Sequence, residues 1–215
     1  MNALTLSEVL VVVVVVAGLF VLILSSMQSA RRHVSKINCV NNLKQIGFSF
    51  RVWGEDHGDK YPMQLGLAEG GVRELAATGN VAAVFLVMSN ELLTPKVLVC
   101  PVEPNPQLLW NFSTNFGNQT VSYFIGLDAT FDKTNAILTG DDNFEIKGVP
   151  VKAGVLELST NTPIAWTAER HNLRGNIGYG GLSFLVTSNS GLASAIIKQY
   201  AGPNGFTNRF RIAIP

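Results

Sequence analysis

The stretch ALTLSEVLVVVVVVAGLF, residues 3–20, decides the architecture of this chain. It opens an apolar run that continues to Leu24 and carries no charged side chain after Glu8. At ~1.5 Å per residue, about 20 apolar residues in a helix span the hydrocarbon core of a bilayer. The run therefore predicts a helix that crosses a membrane or is buried among similar helices, with one carboxylate at its edge.

Three kinds of segment contain such a run. A secretory signal peptide normally begins with basic residues, and none precedes Glu8. A plain membrane anchor fits the length but gains nothing from this carboxylate. An assembly helix, which lies first in the membrane and later against copies of itself, explains Glu8, because a charge in an apolar surrounding is costly unless a second charge pairs with it. The sequence favours the assembly helix over the plain anchor.

The composition beyond this run is that of a soluble domain. Charged residues make up 14% of the 215 residues, and the net charge is +1. This balance gives no electrostatic reason to expect binding to nucleic acid. We therefore expect one membrane segment, residues 4–24, followed by one globular domain, residues 55–215, with an amphipathic part of the same long helix, residues 25–54, between them.

The amphipathic part of the helix has two apolar faces. Side chains at spacings of three and four residues form one stripe that should cover the globular domain: Cys39, Leu43, Ile46, Phe50 and Trp53. A different face carries Met27, Ala30, Val34, Ile37, Phe48 and Val52. Because a helix with two apolar faces has two partners, we expect the second face to contact a neighbouring subunit. Burial on both sides within one domain is the alternative.

The helix also has a weak point in its apolar part. Residues 11–16 are six valines, and Gly18 follows closely. Valine and glycine have low helix propensity, whereas in lipid the backbone must stay helical. Outside lipid, bending or unwinding centred on Gly18 is one expectation, and a continuous helix held by packing is the other.

Only two cysteines occur in the chain. Cys39 lies on the domain-facing stripe, and Cys100 follows an apolar stretch, residues 97–99, that predicts a strand. We expect a disulfide between them, which would tie the helix to the domain and would indicate an oxidising compartment. Buried free thiols are the alternative. Two cysteines without a nearby pair of histidines do not predict a metal site.

The globular domain is expected to be α+β, with several antiparallel strands packed on the long helix. A polar turn at residues 55–62 ends that helix, and Asn80 is expected to cap a short second helix. A two-residue turn is predicted at Gly180–Gly181. Strands are predicted at residues 97–99, 121–127, 136–139, 155–158, 164–167, 176–179, 182–187 and 209–214, and a helix at 191–200.

Few motifs in this domain suggest chemistry. Asp141 and Asp142 stand in a short acidic turn that could bind calcium, but it supplies far fewer than the six or more oxygens that calcium takes. A solvated turn is the alternative. The three histidines have no ligand spacing, and no hydrolase motif or phosphate loop occurs. An enzyme is therefore not expected, and no cofactor beyond the weak calcium candidate.

Three aromatic residues, Tyr61, Trp110 and Tyr123, are candidates for a binding patch. Tyrosine and tryptophan carry a large apolar ring with a polar tip, and they serve more often in a core or a subunit contact. We therefore favour structural roles for all three.

Residues 4–12, LTLSEVLVV, resemble the start of the type IV pilin and type II secretion pseudopilin superfamily. Segments spread over the rest of the chain resemble the pilin-like proteins of the planctomycete and verrucomicrobial kind: residues 39–47, 88–96, 100–101, 208–210 and 214–215. Such relatives often carry Asp-Gly after the histidine that corresponds to His171. Gly180–Gly181 stands there instead, which argues against a shared polar site at His171.

The resemblance implies that a prepilin peptidase cuts between Ala3 and Leu4, removing a leader of residues 1–3. N-methylation of the new terminus and polymerisation into an extracellular helical filament would follow. Glu8 would then neutralise the amino group of Leu4 in a neighbouring subunit, and two charges that are costly alone become tolerable as a pair. Ala3 stands where the family usually has glycine, although a small residue is kept.

The partners implied by the resemblance are copies of the chain itself, the prepilin peptidase, the assembly machinery and the inner membrane that holds the precursor. Two other functions stay open: a periplasmic pseudopilin of a type II secretion system, and a membrane-anchored binding domain that does not polymerise. The basic residues Arg31, Arg32 and Lys36 would by themselves leave the domain in the cytoplasm. The cysteines favour the opposite side of the membrane.

Overall fold

A computed structural model of the chain describes residues 6–199 and 210–215, and the side-chain surroundings of 6–23, 37–197 and 210–215. The expected processing residues Ala3 and Leu4 lie outside these described residues. So do the side chains of three residues of the second apolar face, Met27, Ala30 and Val34.

The first helix, α1, runs from Leu6 to Asp56 and contains 51 residues, which makes it about 75 Å long. Its segment Leu6–Ile23 is long and apolar enough to cross a membrane, and none of it is buried against the rest of the protein. The helix is continuous through Gly18. The expected unwinding there concerns the helix in an assembly outside lipid, and it stays a prediction.

The second half of α1 packs on the domain as its periodicity predicts. All five residues of the predicted stripe are buried, from Cys39 to Trp53, with exposed fractions of 3% or less. On the second face, Ile37, Phe48 and Val52 remain about half exposed. Gly47 allows a close approach, because a Cβ there would lie 2.7 Å from the ring of Phe184. One side of this half is therefore part of the domain core, and the other side is open.

Four short helices follow α1 in the described part of the chain. Their bounds are α2 Arg73–Ala76, α3 Val81–Val87, α4 Ser89–Leu92 and α5 Asn189–Gln199. Single 3-10 turns lie at Pro62–Gln64, Leu67–Glu69, Pro95–Leu98 and Asn118–Thr120. The predicted cap of α3 is confirmed, since Asn80 Oδ1 accepts a hydrogen bond from the Ala83 amide at 3.0 Å.

The strands of the described residues form two antiparallel sheets. The larger sheet has the order β5-β9-β1-β2-β7-β8, and the smaller one has the order β4-β3-β6. The larger sheet consists of β1 Tyr123–Gly126, β2 Ile137–Asp141, β5 Gly154–Leu158, β7 Arg174–Tyr179, β8 Phe184–Ser188 and β9 Phe210–Ile214. The smaller consists of β3 Phe144–Ile146, β4 Val149–Pro150 and β6 Ile164–Trp166. The expected α+β fold, a long helix on an antiparallel sheet, is confirmed.

The central strands β1 and β2 of the larger sheet are buried on both faces, and successive side chains of a strand point to opposite sides. In β1, Tyr123 and Ile125 belong to the core that includes the α1 stripe. Phe124 belongs to a second core, which α5 and the smaller sheet cover. The sheet thus separates a helix-facing core from a second core on its far side.

Two of the sequence predictions for this domain are wrong. Residues 97–99 do not form a strand, because Pro95 begins a 3-10 turn whose Lys96 amide is capped by the Thr94 hydroxyl. The turn at Gly180–Gly181 is not a two-residue one: the Tyr179 amide donates to the Ser183 carbonyl, and Leu182 adopts a φ of 57°. This is a three-residue hairpin loop. The other predicted strands occur, with ends shifted by one or two residues, whereas β3 and β4 were not predicted.

A disulfide joins Cys39 of α1 to Cys100, and their Cα atoms are 5.5 Å apart. It spans 61 positions of the sequence and is fully buried. The bond therefore fixes the long helix to the domain covalently as well as by packing.

Replacing both cysteines by serine is expected to lower the free energy of unfolding of the domain by roughly 4 kcal/mol, because the unfolded chain regains the entropy of an open loop of this length. Denaturant unfolding of the full chain in detergent, followed by tryptophan fluorescence, would measure the difference. Reduced wild-type protein is the control and should resemble the double variant. Equal stability of the oxidised and serine forms would contradict the prediction.

Candidate functional site

Four side chains of the types that bind metals or take part in reactions meet at the disulfide. Cys39 comes from α1, Cys100 follows the Pro95–Leu98 turn, Asp141 ends β2, and His171 lies in the loop before β7. All four are buried, and His171 has the largest exposed fraction, 7%. Four separate parts of the fold thus converge on one point.

His171 links the disulfide to a carboxylate. Its Nε2 atom lies 3.2 Å from Cys100 Sγ and 3.4 Å from Asp141 Oδ2. The two sulfur atoms and a ring nitrogen of His171 lie within 4.8 Å of one another. Although the Asp-Gly motif is missing, His171 has a carboxylate beside it, that of Asp141 at the end of β2.

The backbone that carries His171 is unusual. His171, Asn172 and Leu173 have φ values of 52°, 52° and 60°, so three successive residues adopt the left-handed conformation. Each such residue costs roughly 1 kcal/mol or more, and strained backbone of this kind is concentrated at functional sites. The turn formed by these three residues places His171 beside Cys100.

Asp141 has a fully buried carboxylate group whose two oxygens differ in their hydrogen bonding. Its Oδ2 accepts hydrogen bonds from the Asn176 amide at 2.8 Å and from Asn176 Nδ2 at 2.7 Å. Its Oδ1 has no hydrogen-bond partner among the described residues. Burial raises the pKa of Asp141 to about 6, and the positive charge of Arg170 opposes this shift. An incompletely satisfied buried carboxylate is unusual.

Arg170 forms a second charged group next to this cluster. Its guanidinium pairs with Glu103 Oε2 at 3.0 Å and with Asp142 Oδ1, and it donates to the Ser122 carbonyl at 3.3 Å. The Arg170 side chain is 7% exposed. A buried guanidinium is thus held between two carboxylates.

The acidic turn at Asp141 and Asp142 is not the solvated turn that the sequence left open. The two carboxylates have different nearest partners: Asp141 lies beside His171, and Asp142 pairs with Arg170. Calcium binding at these residues stays a prediction, and both side chains already have protein partners.

The three candidate aromatic residues do not form a patch. Tyr61 and Tyr123 are fully buried, whereas Trp110 is 80% exposed and lies under the Lys96 ammonium group, 3.0 Å from the ring centroid. Burial raises the pKa of Tyr61 to about 12. The structural roles favoured for the two tyrosines are confirmed.

A groove of about 510 Å³ lies on the outer side of the disulfide. Asn38 and Asn42 of α1 line one wall, and Lys96, Cys100 and Leu108 line the other. Asn42 Nδ2 donates to the Val99 carbonyl at 3.1 Å and bridges the two walls. Cys100 contributes to the lining of the groove, but its side chain is fully buried.

Substitution of Arg170 by glutamine should lower the free energy of unfolding by about 3 kcal/mol, because it leaves the partly buried carboxylates of Glu103 and Asp142 without a counter-charge. Thermal unfolding followed by near-UV circular dichroism would measure the loss. The matched control is Arg73→Gln, since Arg73 pairs with Glu74 at an exposed position. Its stability should equal that of the wild type within error. Similar losses of stability in both variants would show that the buried ion pairs of Arg170 contribute no more than the exposed ion pair of Arg73.

No family model matches this chain, and comparison with curated proteins and with solved structures finds no match either.

Proposed function

We propose that this protein is a structural subunit that polymerises through α1 into an extracellular, type IV pilus-like filament. The observation that supports this most strongly is the first part of α1. Residues Leu6–Ile23 form a continuous apolar helix, none of which is buried by the domain. Exposed apolar surface of this extent is incompatible with water and requires lipid or other copies of the helix.

Two environments satisfy this surface in turn. In the inner membrane the precursor helix is surrounded by lipid tails. Outside the cell the same side chains must be covered by neighbouring helices, and removal of their area from water contributes about 25 cal/mol per Å². A bundle of α1 helices with the domains as an outer shell meets both requirements.

In this proposal Glu8 sets the register, that is, the axial position of one α1 helix relative to its neighbour. It lies near the start of the apolar segment and its side chain is exposed on the helix surface. Pairing with the methylated amino group of Leu4 in an adjacent subunit, after cleavage by a prepilin peptidase, joins two charges that are each costly in an apolar bundle. A displacement of one helical turn, about 5.4 Å, breaks the pair.

The second apolar face of α1 extends the assembly surface toward the domain. Ile37, Phe48 and Val52 are 56%, 54% and 49% exposed. Residues 37 and 48 are eleven positions apart, which is close to three helical turns, so they share one side of the helix. Contact with a neighbouring subunit along this side would cover them.

A pseudopilin of a type II secretion system would use the same helix in a short periplasmic assembly, and a plain anchored domain would use it only to stay in the membrane. The deciding experiment is shearing of intact cells, followed by mass measurement of the N-terminal peptide in the sheared fraction. A methylated Leu4 terminus in long filaments supports the proposal. Subunits confined to the cell envelope with that terminus favour the pseudopilin, and an uncleaved chain confined to membranes favours the anchor.

Glu8→Gln should reduce the amount of sheared filament at least about tenfold, because the neighbour's amino group would be buried without a counter-charge. Quantitative immunoblotting of the sheared and membrane fractions would measure it. Glu169→Gln, at an exposed position in the domain, is the matched control and should leave the yield unchanged. A normal filament yield from Glu8→Gln would remove the proposed pairing.

Phe48→Ser should lower the filament yield several-fold while leaving the stability of the domain unchanged, because this ring contacts solvent in the isolated chain. The control is Val149→Ser, which removes an exposed apolar side chain, 66% exposed, from the smaller sheet. Filament yield and the thermal midpoint would both be measured. Equal yields from the two variants would mean that the second face of α1 contacts no subunit.

A further inference from the structure

We propose that, when its two cysteines are reduced, this chain binds one Zn²⁺ at a site formed by four side chains: Cys39, Cys100, His171 and Asp141. The disulfide is then the oxidised form of the same site. This inference is independent of filament assembly and concerns only the domain and the second half of α1.

The donor set is one that zinc prefers. Thiolate sulfur, imidazole nitrogen and carboxylate oxygen are its usual ligands, in tetrahedral arrangement. With metal–ligand bonds of about 2.0–2.3 Å, tetrahedral ligand atoms lie roughly 3.3–3.8 Å apart. The Nε2 atom of His171 already lies 3.2 Å from Cys100 Sγ, and the Asp141 carboxylate lies next to it, with Oδ2 at 3.4 Å. The ligand atoms of Cys39, Cys100 and His171 all lie within 4.8 Å of one another.

Asp141 supplies independent evidence for a cation. Its carboxylate is fully buried, and Oδ1 has no hydrogen-bond partner among the described residues. A buried carboxylate oxygen without a partner is costly. A metal ion bound by Oδ1 would satisfy it, while Oδ2, the oxygen nearer to His171 Nε2, keeps its hydrogen bonds to Asn176. The hydrogen bonds from Asn176 to Oδ2 would orient the carboxylate as an outer-shell contact does at metal sites.

The two states differ by a balanced reaction. A newly made chain carries two thiols, and zinc binding releases both thiol protons to water. Oxidation by a second, exchangeable disulfide removes two electrons from the pair of thiolates. It forms the Cys39–Cys100 bond, converts the oxidant into two thiols with two protons from water, and releases Zn²⁺. Once the sulfur–sulfur bond is absent, van der Waals repulsion moves the two sulfur atoms apart, toward the separation that a tetrahedral site needs.

Position and rigidity both suit such a site. The groove lined by Asn38, Lys96 and Cys100 lies beside the buried disulfide. The left-handed turn at residues 171–173 holds the imidazole against Cys100, so His171 needs no large movement to become a ligand.

The test uses the full chain in detergent, reduced anaerobically with a phosphine and titrated with Co²⁺ as a spectroscopic substitute for Zn²⁺. We expect one equivalent to bind, with thiolate-to-cobalt charge-transfer absorption and tetrahedral ligand-field bands. Zn²⁺ should displace Co²⁺, and Ca²⁺ should not. The oxidised chain should show no such absorption. Absence of these bands in the reduced wild type would overturn the proposal.

Variants distinguish a site formed by all four side chains from metal binding by the two cysteines alone. His171→Ala and Asp141→Asn should each weaken Co²⁺ binding at least about tenfold, while the matched control His57→Ala should bind as the wild type does. His57 stacks on Trp53, away from the cysteines. Equal affinity of wild type and His171→Ala would overturn the proposal.

If the reduced chain without metal loses its tertiary packing, its near-UV circular dichroism spectrum will change. Zn²⁺ should then restore the native spectrum of the wild type and fail to restore that of His171→Ala. Failure to restore the wild type would count against the site, as would equal recovery of both proteins.

Discussion

The structure depends on one constraint: the two halves of a single helix, α1, lie in two different environments. From Cys39 onward, one side of α1 is core for the domain, packed against the sheet. From Leu6 to Ile23 none of it is buried by the protein at all. The core of the domain is therefore incomplete without the helix, and the apolar segment of the helix is exposed unless lipid or another apolar surface covers it. The side of the helix that carries Phe48 and Val52 is also open, so apolar surface is exposed beside the domain as well as in the apolar segment.

Much of this architecture could be predicted from the sequence, because its signals are local. The spacing of three and four residues from Cys39 to Trp53 indicates the buried side of a helix, and it is buried. The errors arose where a cap or a turn overrode an apolar pattern. Val97 and its neighbours have the composition of a strand, yet Pro95 and the Thr94 hydroxyl begin a 3-10 turn there. Leu182 gives no sign in the sequence of the left-handed conformation that lengthens the hairpin loop.

The candidate site was less predictable, since it is made by contacts between distant parts of the chain. Cys100 and His171 are 71 positions apart, and no spacing rule joins them. The left-handed turn that places His171 has no characteristic residue types. In the sequence Asp141 stands out only as part of an acidic turn with Asp142, and nothing in that turn indicates that the two carboxylates have different partners, His171 for one and Arg170 for the other.

The position of the disulfide also has a mechanical meaning. Among the side chains of α1 whose surroundings are described, Cys39 is the first to be buried in the domain, and the stripe from Leu43 to Trp53 follows it. If the helix is pulled away from the domain by its apolar end, separation must begin at this edge. There it meets a covalent bond. Peeling, which breaks contacts one after another, is thereby replaced by shear, which loads the whole stripe at once, and the tension reaches the disulfide before it reaches the apolar core.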